Sequence, residues 1–217
     1  MARRSCRRGC EAAAWSPDGR RLVLAAGHAG VVTCDVGRPD AALRTIGGGG
    51  TICNVAWSPD GAMIAASEPE GATRLIDPET GRVTRRLPTH VGTSPNLLAF
   101  SGDGKAIVTD GVLAHPVWDV ATGRALAELV GHVTRIQHVA LSPDGRRVVT
   151  VADIDATVKV WDRELGADLI TFWRPRWVPR AALFLPDGEA LAVAWQDKDG
   201  YRNMELSIYR ARPAPSP

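Results

Sequence analysis

Aromatic residues are scarce in this chain. They make up 6% of 217 residues, with Phe 3, Tyr 2 and Trp 7. Lysine is scarcer: Lys105, Lys159 and Lys198 stand against 23 arginines, the bias of a GC-rich coding sequence. The four cysteines (Cys6, Cys10, Cys34, Cys53) are too few for a disulfide scaffold, and none forms a CxxC pair. Cys6 and Cys10 have no histidine at ligand spacing, so no metal is expected there. No run approaches the roughly 18–20 apolar residues that cross a bilayer. The N-terminus is basic without an apolar run behind it, which does not read as a signal peptide. A reducing, cytoplasmic setting without membrane contact is therefore expected.

Large excess charge is also missing. The formal net charge is +2, which argues against a nucleic-acid binder driven by its overall field. Arg3, Arg4, Arg7 and Arg8 nevertheless put four positive charges into residues 1–10, with no acid among them. Hydrophobic residues at 45% and charged residues at 23% fit an ordered chain that can bury a core.

What the chain has in quantity is turn residues, Gly 22 and Pro 15, and they are periodic. Ser-Pro-Asp-Gly recurs at 16–19, 58–61 and 142–145, with variants at 101–104 and 185–188. The pairs Asp18-Gly19, Asp60-Gly61, Asp103-Gly104, Asp144-Gly145 and Asp187-Gly188 thus repeat every 41–43 residues. Proline presets the first corner, aspartate tolerates the second and glycine takes the positive-φ exit. Each turn predicts a tight hairpin.

Short apolar runs lie on both sides of the turns. Those before are 12–15, 52–57, 97–100, 139–141 and 181–184; those after are 21–26, 62–66, 106–109, 147–151 and 190–194. They are too short for helices and suit strands buried between stacked sheets. Aspartates 35, 77, 119 and 162 then close a third strand (31–34, 73–76, 114–118, 157–161). Glycines 81, 123 and 166 end the following turn, and Pro39 replaces the first. Fourth strands return at 42–46, 83–87, 125–129 and 168–172. Four antiparallel strands per 42 residues describe a propeller blade.

The segment Gly131–Gly166 resembles a WD repeat. It carries the Gly131-His132 dipeptide, the Ser-Pro-Asp-Gly turn, Asp155 six residues before a tryptophan, and Trp161-Asp162. The resemblance covers residues 11–210 and implies an all-β propeller of about five blades that scaffolds protein complexes. It further implies a blade-locking network of His, Ser/Thr, Asp and Trp. Here His132, Asp155 and Trp161 match, while Val151 stands where the Ser/Thr is expected; other repeats hold His28, Glu70 and Val112 at the aspartate position. His132 and Asp155 are read as structural, since no nucleophile is placed beside them.

The fifth repeat has an enlarged hairpin at 196–203 and lacks a fourth strand. Asp197-Lys198-Asp199-Gly200 departs from full calcium-loop spacing, so a polar loop is expected. The organisation reads as a basic segment at 1–10, repeats at 11–212 and a proline-rich tail at 213–217. Two arrangements stay open: residues 1–10 supply the missing strand, or the repeats form an incomplete ring, able to self-associate or completed by further repeats on another chain or on a longer parent. The motifs imply no enzyme and no cofactor. The Gly47–Gly50 quartet lacks the Lys-Ser/Thr of a phosphate loop. The Asp-x-x-Thr-Gly turns are similar to those of quinone-dependent dehydrogenase propellers, which makes a catalytic propeller the alternative; an RNA/DNA scaffold is another. The expected binding residues are Trp173, Arg174, Arg176 and Trp177 with Arg135, offered to a protein or peptide partner.

Overall fold

The computed structural model describes residues 12–38, 43–69, 71–88, 97–109, 111, 114–198 and 203–210. The Ser-Pro-Asp-Gly hairpins organise it. Gly19, Gly61, Gly104, Gly145 and Gly188 all take φ of +68° to +73°, which glycine adopts without strain. In four copies the serine hydroxyl donates to the turn aspartate at 2.5 Å. The same hydroxyl accepts the N–H of the residue that opens the hairpin's return side, as Arg21 does at Ser16. The turn is thus a closed hydrogen-bonded unit encoded by four residues.

Each hairpin begins a sheet. The first contains β1 (Ala12–Trp15), β2 (Arg21–Ala25), β3 (Val31–Asp35) and β4 (Arg44–Ile46). The second contains β5 (Asn54–Trp57), β6 (Ile64–Glu68), β7 (Ala72–Ile76) and β8 (Val83–Pro88). The third contains β9 (Leu98–Phe100), β10 (Ala106–Thr109), β11 (Ala114–Asp119) and β12 (Ala125–Val130). The fourth contains β13 (His138–Leu141), β14 (Arg147–Ala152), β15 (Thr157–Asp162) and β16 (Asp168–Trp173). The fifth has three strands, β17 (Trp177–Phe184), β18 (Ala190–Asp197) and β19 (Met204–Arg210). Every sheet is an antiparallel meander in chain order.

Alternation along the strands explains why these runs are apolar on both faces. Val148 pairs with Trp161, and both point to the third sheet; Val149 pairs with Val160, and both point to the fifth. Four buried clusters fill the four junctions. Val23, Val31 and Ile46 meet Trp57, Ile64 and Ile76. Leu75 and Leu87 meet Ile107 and Trp118. Val108, Val117 and Leu129 meet Val139, Val148 and Trp161. Val158 and Val160 meet Leu191, Val193 and Trp195. A cation caps two junctions from the turn end: Arg21 over Trp57 at 5.0 Å and Arg147 over Phe184 at 5.2 Å.

The two ends of the stack differ from its middle. Trp15, at the position where Trp57 is buried, is 56% exposed. Inner strands pack in the series β1, β5, β9, β13, β17, and no comparable packing joins β17 to β1 among the described residues. The expectation that residues 1–10 close the ring lies outside the described residues, as do Pro39, Glu70 and Val112. Strand limits differ from expectation in two places. Ile52 bridges Gly27 before β5 begins, and β17 starts at Trp177 because Pro179 is absorbed at a bulge. No described helix is long and apolar enough to cross a membrane.

The serine hydroxyl and then a backbone N–H hold the carboxyls of Asp18, Asp60 and Asp144 below their ordinary 3.8. A carboxyl depressed in the folded state stabilises it fully above its unfolded pKa and loses that contribution as pH falls through the folded value. Urea midpoints should therefore drop below about pH 4. A variant with Asp18, Asp60 and Asp144 changed to Asn should be less stable at pH 6 and show a shallower acid loss.

Candidate functional site

Two regions carry the polar residues that matter, and both lie in the fourth and fifth sheets. The first is inside. Thr150 on β14 is fully buried, and its hydroxyl accepts Trp161 Nε1–H at 2.7 Å. The hydroxyl lies 2.7 Å from His132 Nε2, and His132 Nδ1 lies 3.0 Å from Asp155 Oδ2. Because the Thr150 oxygen already accepts from tryptophan, its own proton goes to Nε2, and the histidine then donates from Nδ1 to Asp155. Thr157 donates its hydroxyl and N–H to Asp155 Oδ1. The chain Trp161–Thr150–His132–Asp155 is complete.

This corrects the sequence reading. The hydroxyl position is Thr150, one residue before Val151, and a shift of one in a strand reverses the face. Val151 points to the fifth sheet and packs in its cluster. A hydroxyl does therefore stand beside the His–Asp pair, but it is sealed in the blade and its oxygen is spent on Trp161. Burial lowers the His132 pKa against the opposing pull of Asp155, which favours the neutral ring this chain requires. The third sheet keeps half of the arrangement, with Trp118 Nε1–H donating to Thr109 Oγ1 at 2.9 Å.

The second sheet solves the same problem with charge. Glu68 and Arg74 are buried and paired, and Arg86 reaches Glu68 at 3.3 Å. Arg74 also donates to the Gly47 carbonyl at 2.8 Å. The glycine quartet thus turns carbonyl oxygens toward a guanidinium, the opposite polarity from a phosphate cradle. His28 bonds the Thr51 hydroxyl at 2.8 Å across the first two repeats.

The second region is the rim where first strands begin and second strands end. Trp173, at the end of β16, is 64% exposed. Arg174 is not a free cation: it forms a two-pronged pair with Glu205 at 2.7 and 3.2 Å and stacks on Trp177 at 4.9 Å. Trp177 in turn packs against the cluster between the fourth and fifth sheets. Arg176 is exposed with φ +67°, and Arg135 is exposed on the loop before β13. The five expected residues therefore divide into Trp173, Arg176 and Arg135 at the surface and Arg174 and Trp177 as their support.

Residues missed in the sequence share this rim. Asp153 accepts from Gln137 and lies 3.6 Å from Arg180, which also bonds Gln196 at 2.7 Å. Thr134 Oγ1, His138 Nδ1, Asp153 Oδ1 and Asp197 Oδ1 have no hydrogen-bond partner among the described residues. Burial lowers the His138 pKa, so it too is held neutral. Only Asp197 had a signal, its place in the enlarged hairpin; Asp199 and Gly200 of that hairpin lie outside the described residues. No three His, Cys, Asp or Glu side chains gather in a metal-holding group among the described residues.

Five antiparallel meanders stacked face to face, one locked by a Trp–Thr–His–Asp chain, define a β-propeller of the WD type. The family model of the WD domain, G-beta repeat, matches residues 123–162. The chain is 33% identical over 186 residues to mouse DNA damage-binding protein 2, covering 81% of this chain and 40% of that protein. It is 31% identical over 153 residues to an uncharacterised WD repeat-containing protein of Synechocystis, covering 69% and 43%. The fold resembles Kuenenia stuttgartiensis hydrazine synthase with a TM-score of 0.76 at 20% identity, over 94% of this chain and 63% of that one. The chain is a WD40-repeat protein. It spans less than half the length of these two curated relatives.

Thr150→Val should leave His132 Nε2 and Trp161 Nε1 buried and unpaired, at a cost of about 2–3 kcal/mol. Thr150→Ser should restore most of that stability. Equilibrium denaturation at pH 7.5 measures both.

Proposed function

We propose that this protein is a non-catalytic interaction scaffold that binds an acidic or aromatic peptide segment on the rim of its fourth and fifth blades. The observation that carries the reading is Trp173, a 64% exposed tryptophan beside a turn that Arg174 fixes by pairing with Glu205 and stacking on Trp177. Trp173 offers its face to an aromatic side chain, while Arg135, exposed on the loop before β13, takes a carboxylate. Arg174, fixed by Glu205 and stacked on Trp177, keeps the turn rigid and lowers the ordering cost of binding. Family membership supports the scaffold class. A nucleic-acid partner is less well supported, because the Arg174 charge is already offset by Glu205.

Affinity capture with the intact chain, read by mass spectrometry, identifies the partner. The double variant Trp173→Ala with Arg176→Ala should weaken that partner at least about tenfold, equivalent to 1.4 kcal/mol, with an unchanged melting temperature. Glu205→Gln should instead loosen the turn and weaken binding less. Equal capture by the double variant and the parent chain would refute the assignment.

A further inference from the structure

The outer strands make a repeated contact that stops at the junction of the third and fourth blades. Arg44 on β4 pairs with Thr33, two residues before Asp35. Arg85 on β8 pairs with Leu75, two residues before Asp77. Each of these arginines reaches into the next blade. Arg44 Nη1 donates to the Glu79 carbonyl at 2.8 Å, and Arg85 donates to the carbonyls of Ala121 and Thr122. Those carbonyls stand two and three residues after the turn aspartates Asp77 and Asp119. An outer-strand guanidinium thus caps the turn that follows the third strand of the neighbouring blade.

The third blade has no such arginine. Ala127 holds the position, paired with Val117 two residues before Asp119. The equivalent carbonyls, those of Glu164 and Leu165 after Asp162, take no donor among the described residues. The short side chain lets this turn close on β12, where a Cβ at Gly166 would lie 2.7 Å from the Glu128 carbonyl. Beside that contact the two blades leave a cleft of about 270 Å³. Lys105, Asp119 and Leu126 line it from the third blade, Arg163 and Glu164 from the fourth. Arg163 lies 3.8 Å from Asp103 and 3.6 Å from Glu164. Thr122 donates its hydroxyl and N–H to Asp119 and so holds that carboxyl below its ordinary 3.8. Three carboxylates, Asp103, Asp119 and Glu164, therefore stand with two cations, Lys105 and Arg163, and one acid is in excess.

We propose that this cleft receives an arginine side chain from a partner protein, at the place where the two preceding junctions use an arginine of the chain itself. The guanidinium fork donates to the carbonyls of Glu164 and Leu165, as that of Arg85 does to Ala121 and Thr122. Asp119 and Glu164 offset its charge, and its aliphatic stem lies along Leu126, which is 41% exposed. The cleft opens at the turn ends of the blades, opposite the loop rim, so this contact is independent of the peptide site there.

The probe is N-acetyl-argininamide, followed by amide NMR of the intact chain, with N-acetyl-lysinamide and acetate as comparators. The arginine probe should shift the amides of residues 105, 126 and 164–166 saturably, and bind at least about threefold tighter than the lysine probe, whose point charge cannot fork to neighbouring carbonyls. Ala127→Arg supplies the missing side chain within the chain and should abolish the shifts. Glu164→Gln, at an exposed side chain, should weaken binding about two- to fivefold. Equal binding of the two amides, or binding that ignores either variant, overturns the proposal. So does acetate shifting the same residues, which marks an anion site on Lys105 and Arg163. Shifts at these residues on diluting the chain alone also overturn it, since a second copy then fills the cleft.

Discussion

The structure depends on face-to-face packing between successive four-stranded sheets. A blade of this composition is apolar on both sides and cannot bury either side alone. Each stacked face removes several Val, Leu, Ile or Trp side chains from water, at about 1.5–3 kcal/mol per side chain. A hydrogen bond contributes about 1 kcal/mol net. The stacking term therefore dominates, and the polar networks act mainly by fixing register and excluding alternative packings. This ordering explains why, among the described residues, the full Trp161–Thr150–His132–Asp155 chain stands in the fourth blade alone. The others keep the stacking and vary the lock: a Trp118–Thr109 pair in the third, a buried Glu68–Arg74 ion pair in the second.

The same requirement leaves apolar side chains exposed at the two ends of the stack. Trp15 is exposed where its counterpart Trp57 is buried under Arg21. Met204, Leu206 and Ile208 are exposed at the other end. Exposed apolar area on this scale marks a contact surface rather than an ordinary exterior. The loop rim differs in kind: its exposed tryptophan stands beside a salt-bridged turn.

Much of this was legible in the sequence because turns and periods are local. The Asp-Gly pairs located all five hairpins, and the Asp-to-Gly spacing located three of the returning turns with Gly81, Gly123 and Gly166 at positive φ. What was missed depends on which face a residue takes. Thr150 and Val151 differ by one position, and only the register with Lys159 and Val158 shows which one enters the Trp161 network. Glu68 and Arg74 stand six residues apart on neighbouring strands, and their pairing shows only once β6 and β7 align. Arg174 and Trp177 read as binding residues because composition cannot tell a stacked, paired arginine from a free one.

Hydrogen–deuterium exchange resolved strand by strand tests the stacking account most directly. Protection follows the number of faces each blade has covered. The account predicts the slowest exchange in β6, β7, β10, β11, β14 and β15, and the fastest in β1 and β19. Uniform protection from β1 to β19 in the isolated chain would contradict it, since that result requires both end faces to be covered.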